Sequence, residues 1–129
     1  MKYNCIDLFC GTGGLTRGFH DVNIKTVLAN DFDKEISNSY KTNFPNIPFI
    51  ENDICSLNYN EISNNHNIQP EKIDLIVGGP PCQGYSMANR KRIEEDERNL
   101  LFLEFIRCVL FFKPRCFLIE NVVGMKGEN

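Results

Sequence analysis

The chain is predicted to fold as an α/β protein on a doubly wound, Rossmann-like parallel sheet. Three observations carry that expectation. Short aliphatic runs alternate with helical patterns, as in a parallel sheet with crossover helices. A glycine turn, Gly11 to Gly14, follows the first run. The later runs lead to Asp31, Asp53, Cys82 and Glu120, polar or reactive residues placed just where each strand stops.

The elements follow in order. Asn4-Cys5-Ile6-Asp7-Leu8-Phe9 reads as the first strand. A short helix follows the glycine turn, with Leu15 and Phe19 on one face, and Ile24 to Ala29 reads as the second strand. Asp33 has the character of an N-cap for a helix carrying Ile36, Tyr40 and Phe44 at i, i+4 and i+8. Pro45 and Pro48 close that helix, and Phe49-Ile50 forms a short third strand leading to Asp53. Asn58 to Gln69 is asparagine-rich and too weakly patterned to carry a definite helix. Ile73 to Gly79 reads as a buried fourth strand, ended by Pro80-Pro81, which lack the ladder N–H. Ser86 to Asn99 is a charged loop, and Leu100 to Phe112 an apolar helix stopped by Lys113-Pro114. The fifth strand, Cys116-Phe117-Leu118-Ile119, delivers Glu120-Asn121.

Bulk properties narrow the function classes. The 129 residues form one domain or part of one, with an apolar fraction, 42%, that is ordinary for a soluble protein. No apolar run reaches membrane-spanning length, and Met1-Lys2-Tyr3-Asn4 leads straight into a strand, so neither a membrane segment nor a signal peptide is expected. A net charge of −3 offers no broad nucleic-acid surface within this stretch. The six cysteines form no C-x-x-C pair, and His20 and His66 stand alone, so no metal site is expected. A reducing cytoplasm is expected instead, with five structural thiols and one exception, Cys82.

Right-handed crossovers bring the residues after every strand to one edge of the sheet, where open α/β folds bind their ligands. Asp7-Leu8-Phe9-Cys10-Gly11-Thr12-Gly13-Gly14 lets backbone approach a ligand at a helix N-terminus, although Thr16 replaces the third glycine of a dinucleotide fingerprint. Asp31 stands where a carboxylate accepts from ribose hydroxyls, and together with the turn it favours a cofactor bearing a nucleoside. Phe32 suits stacking on adenine, and Asp53, with Ile54, suits its exocyclic amine; taken singly, a core phenylalanine and a helix cap are the better explanations, and only their place on this sheet edge favours the pocket. Asp7 beside the turn argues against a pyrophosphate and for a cationic or amino group.

Asp7-Leu8-Phe9-x-Gly11-x-Gly13-Gly14, Gly79-Pro80-Pro81-Cys82-Gln83-Gly84-Tyr85-Ser86 and Glu120-Asn121-Val122 resemble, in order and spacing, three signature motifs of the cytosine-5 DNA methyltransferases. The resemblance covers the whole chain, as the N-terminal part of a single catalytic domain over residues 1–129. It implies S-adenosylmethionine as cofactor, held by Asp7, Phe9, Gly11, Gly13, Gly14, Leu15, Asp31, Phe32, Asp53 and Ile54. It implies Cys82 as the nucleophile toward C6 of a cytosine flipped out of double-stranded DNA, and Glu120 as the group at ring N3. Asn121 would order the Cys82 loop and the Pro80 carbonyl would meet the base amine. Gln83, Ser86, Arg90 and Arg92 would contact the nucleic acid.

The same resemblance implies a strand order 3-2-1-4-5, with later strands and a target-recognition domain not represented in this sequence. A complementary C-terminal half or subunit is therefore an expected partner, and a bacterial restriction–modification setting the expected context. Two alternatives stay open at this point, a transfer-RNA cytosine methyltransferase and a non-catalytic fragment or subunit of a split enzyme.

Overall fold

The computed structural model describes residues 2–81 and 97–120, with the side chains of 97–99 left aside. Five parallel strands form one sheet in the order β3-β2-β1-β4-β5, the order expected from the sequence. The strands are β1 (Tyr3–Leu8), β2 (Ile24–Asp31), β3 (Phe49–Glu51), β4 (Leu75–Gly78) and β5 (Cys116–Ile119). The helices are α1 (Gly14–Asp21), α2 (Lys34–Asn43), α3 (Tyr59–His66) and α4 (Glu97–Phe112), with 3-10 turns at Ile54–Ser56 and Pro70–Lys72.

The period-2 alternation of β1 sorts its side chains to two faces. Cys5 joins Leu75 and Val77 under α1, where Leu15 and Phe19 cover them. On the same side Ala29 packs with Tyr40 and Phe44 of the α2 region. Ile6 and Leu8 point the other way, into the main core with Leu28, Ile76, Tyr59, Ile62, Phe105 and Phe112. Helices therefore cover both faces, which makes the sheet doubly wound.

The boundaries differ from the sequence reading in instructive places. Asp33 caps α2 as expected, accepting from the Glu35 and Ile36 amides at 2.9 and 3.1 Å. The asparagine-rich stretch does contain a helix: Asn58 caps α3, and Tyr59 and Ile62 are its buried anchors. α4 begins at Glu97, ahead of the expected Leu100. The expectation of five structural thiols needs correction. Cys5, Cys10 and Cys108 are buried, whereas Cys55 and Cys116 are exposed, and Cys82 lies outside the described residues.

Among the described residues β5, at the sheet's outer edge, pairs with β4 alone. Phe117 is 52% exposed and Leu118 47%, and α4 leaves Leu100, Leu103 and Leu110 open beside them. Among the described residues no helix is long and apolar enough to cross a membrane, and no cluster of histidine, cysteine and acidic side chains could hold a metal ion.

Candidate active site

The carboxyl ends of β1, β2 and β3 frame a cavity of about 150 Å³ lined by Phe9, Asn30, Asp31, Phe32, Asn52, Asp53, Ile54 and Leu101. The turn after β1 reaches its wall at Phe9. Phe9, Gly11 and Gly13 all take left-handed backbone, with φ of 53°, 55° and 95°. Such a conformation is costly for phenylalanine, and it persists here where the chain turns sharply into the cavity wall. Gly13 is further constrained by space, since a Cβ there would lie 2.3 Å from the Phe44 ring.

Two carboxylates bracket this turn. Asp31 Oδ2 accepts from the Gly11 amide at 2.9 Å, and its Oδ1 from the Asp33 amide at 3.1 Å. Asp7 Oδ2 accepts from the Thr16 amide at 3.1 Å and the Thr16 hydroxyl at 2.7 Å. Thr16 Oγ1 in turn lies 2.8 Å from the Tyr40 hydroxyl. Asp7 thus satisfies an amide of the first turn of α1 from the neighbouring strand, a task that glycine at the N-cap cannot perform. The carboxyl is fully buried and Oδ1 has no partner, so burial holds its pKa up, at about 6, against the lowering pull of the Thr16 bonds. Asp7 does not line the cavity. Leu15 likewise faces the β1–β4 core rather than the cavity.

The ends of β2 and β3 supply most of the cavity's polar lining. Phe32 is 69% exposed, so it is not a core residue; its ring is free at the rim. Asp53 Oδ1 accepts from the Cys55 amide at 2.9 Å, capping the 3-10 turn, while its residue also lines the cavity. The cap and the cavity wall are one residue. Asn30, Asn52 and Leu101 line the cavity too and were not anticipated from sequence.

Further along the same edge, β4 and β5 bring a second pair together. The Glu120 amide donates to the Gly78 carbonyl at 2.9 Å, continuing the ladder one step past β5. A Cβ built on Gly79 would sit 3.0 Å from Glu120 Oε2, so the carboxylate lies directly over the glycine that begins Gly79-Pro80-Pro81. Pro80 is buried. Cys82, Gln83, Ser86, Arg90, Arg92 and Asn121 lie outside the described residues. The buried thiols are poor nucleophiles: burial pushes Cys108 up to about 12 and raises Cys5 and Cys10 further still.

Fold and site define a doubly wound α/β protein with a cleft at the carboxyl edge of its sheet. The chain belongs to the C-5 cytosine-specific DNA methylase family, whose pattern it matches over residues 3–129. It is 41% identical over 125 residues to the type II methyltransferase M.AquIA of Picosynechococcus, covering 97% of this chain and 50% of that protein. It is also 41% identical over 122 residues to the type II methyltransferase M.DdeI of Desulfomicrobium norvegicum, covering 95% of this chain and 28% of the relative. Among solved structures, a prophage-encoded E. coli protein described as a DNA modification methyltransferase superposes with a TM-score of 0.82 at 37% identity, over 98% of this chain and 34% of that one. The Spodoptera frugiperda DNMT2 structure shares the fold with a TM-score of 0.69 at 24% identity, over 98% of this chain and 38% of that one. The chain thus spans half or less of the length of these relatives.

Proposed function

We propose that this chain is the cofactor-binding and nucleophile-bearing portion of an enzyme that transfers a methyl group to C5 of cytosine in DNA, in a bacterial type II restriction–modification setting. The observation that carries the proposal is the Glu120 carboxylate lying over Gly79, at the head of the segment Pro80-Pro81-Cys82-Gln83. A carboxylate set beside a proline-terminated cysteine segment suits a reaction needing a nucleophile and a proton donor on one base.

The residues around the first cavity fit S-adenosylmethionine. An exposed aromatic ring, a carboxylate at the end of β2 and another after β3 offer stacking, ribose acceptance and an acceptor for an exocyclic amine. The cofactor, when bound, supplies an electrophilic methyl group. Asp31 fixes the glycine turn through the Gly11 amide and keeps lone pairs for ribose hydroxyls. Phe9 and Leu101 exclude water from the inner wall.

At the base, the Cys82 thiolate adds to C6, forming an S–C bond and moving the ring electrons toward C5. Glu120 hydrogen-bonds or protonates N3 as that charge develops, which makes C5 nucleophilic. Once C5 has gained the methyl group it loses its proton, and the thiolate leaves C6. Arg90 and Arg92 meet backbone phosphates of the DNA whose cytosine is flipped out. A complementary C-terminal portion supplies target recognition and covers the open β5 edge.

The test is titration of the cofactor into the chain, followed by a methylation assay with duplex DNA in the presence of the complementary portion. Binding with methyl transfer to C5 supports the reading. Methyl transfer to transfer RNA alone, with duplex DNA untouched, contradicts it.

A further inference from the structure

We propose that Arg107 of α4 is a positioning residue that sets the adenine selectivity of the cleft by fixing the segment around Asp53. This rests on the cofactor reading above and extends it to residues outside the signature motifs.

Asp53 sits between two backbone carbonyls, and each is gripped by a side chain from another element. The Asn30 amide, buried at the end of β2, donates to the Ile50 and Asn52 carbonyls at 2.8 and 2.9 Å. From the other side, Arg107 Nη2 donates to the Ile54 carbonyl at 2.9 Å and Nη1 to the Leu57 carbonyl at 3.0 Å. Arg107 is itself held, by an ion pair to Glu104 one turn earlier and by its guanidinium lying over the Tyr59 ring, 4.6 Å from the centroid. Four contacts, to two carbonyls, a carboxylate and a ring, leave the planar fork little freedom, so its direction is set before any ligand arrives.

A 3-10 turn of three residues does not by itself hold a carboxylate still. The Ser56 and Leu57 amides close it at 3.0 and 3.2 Å, and the second of these shares the Ile54 carbonyl with Arg107. Losing the guanidinium therefore loosens the turn that Asp53 caps, while the strands stay paired. α4 also places Leu101 on the cavity wall, so one helix both walls the cleft and braces the opposite side.

Selectivity follows from that brace. Adenine offers an N–H at its six position, an acceptor carboxylate's complement. Hypoxanthine offers a carbonyl oxygen there, which faces the carboxylate acceptor to acceptor. A fixed Asp53 should separate the two by about tenfold, and a loosened one can swing away from the mismatch.

The experiment compares S-adenosylhomocysteine with S-inosylhomocysteine by calorimetry on the full chain, together with amide hydrogen exchange. Arg107→Met removes the fork, and Arg107→Lys keeps the charge but cannot serve both carbonyls. The expected result is a tenfold preference in the unaltered chain that falls to about twofold or less in both variants. Exchange at Ser56 and Leu57 should quicken while that of β1 does not. An unchanged preference in both variants, or equal weakening for both ligands, overturns the role given to Arg107. Failure of the unaltered chain to bind either ligand overturns the cofactor reading itself, a separate outcome.

Discussion

The two halves of the sheet edge are built differently. On the β1–β2–β3 side nearly every polar group of the cleft has a backbone partner: Asp31 holds Gly11, Asp53 holds Cys55, Asn30 holds Asn52 and Arg107 holds Ile54. On the β4–β5 side the chain presents Glu120 over Gly79, exposed Phe117 and Leu118, and a strand edge that no other described strand pairs. One side is preorganised, as binding requires. The other presents reactive groups beside apolar surface that still wants cover. Variants on the first side should therefore change cofactor affinity, and variants on the second should change chemistry or association.

The largest expected effect is on the chemical side. Glu120→Gln keeps the shape and one hydrogen bond but cannot give a proton, so methyl transfer should slow by about 10²–10⁴-fold with cofactor affinity nearly unchanged. Rapid-quench kinetics beside calorimetry separates the two; a loss of affinity with an intact rate would place Glu120 in the other half. Next come Asp31→Ala and Asp53→Ala, each expected to weaken cofactor binding by on the order of 1–3 kcal/mol. Asp31→Ala should be the worse, because it frees two amides, those of Gly11 and Asp33, where Asp53→Ala frees that of Cys55. Equal rates and equal affinities in both variants would reduce the glycine turn to architecture.

The open edge gives a third comparison. β5 is apolar on successive positions, and an exposed apolar edge strand favours pairing with another chain. Sedimentation of the isolated chain should show self-association and no activity, and the paired substitution Phe117→Lys with Leu118→Lys should shift it toward monomer without altering cofactor affinity. A stable, active monomer of the unaltered chain would contradict this account of the edge.

A last effect, seen only as pH changes, concerns Asp7, whose carboxyl pKa is held up by burial, at about 6 in the fold, against 3.8 ordinarily. A raised pKa means that the folded state holds the proton more tightly. This group's favourable contribution is therefore complete below about pH 4 and is lost as pH rises through 6. Asp7→Asn does not titrate, so between pH 4 and 7 the variant should gain on the unaltered chain by on the order of 3 kcal/mol at most. Urea unfolding at both pH values measures the gap, and parallel profiles would show that folding leaves the proton affinity of the Asp7 carboxyl unchanged.

Much of this was legible in the sequence, and the failures have physical causes. The edge positions of Asp31, Asp53 and Glu120 follow from alternating strands and helices with right-handed crossovers, whereas the strand order was legible only through the family resemblance. α3 was hidden because its composition is dominated by asparagine, yet it stands on a cap at Asn58 and only two buried anchors, Tyr59 and Ile62. Asn30 and Arg107 left no local signal. Their partners are backbone carbonyls, and those of Arg107 lie 50 and 53 residues away in the chain. Asp7 was placed near a ligand by its motif, whereas the fold spends its carboxylate on Thr16. Cys55 and Cys116 looked buried because their neighbours are apolar, but a 3-10 turn and an edge strand leave them open.

The account's central claim is that chemistry on cytosine begins at Cys82, and covalent trapping tests it most directly. Duplex DNA carrying 5-fluorocytosine has fluorine where the C5 proton would be, so the elimination that follows methyl transfer is blocked and an attacking thiolate stays attached to C6. The chain, combined with a C-terminal portion bearing the later motifs and with cofactor, should give a DNA-linked species whose mass maps to Cys82. Cys82→Ser should abolish both that species and methylation, while Cys5→Ser and Cys108→Ser should leave the linkage in place. An adduct that persists in Cys82→Ser, or that maps to another cysteine, would contradict the claim.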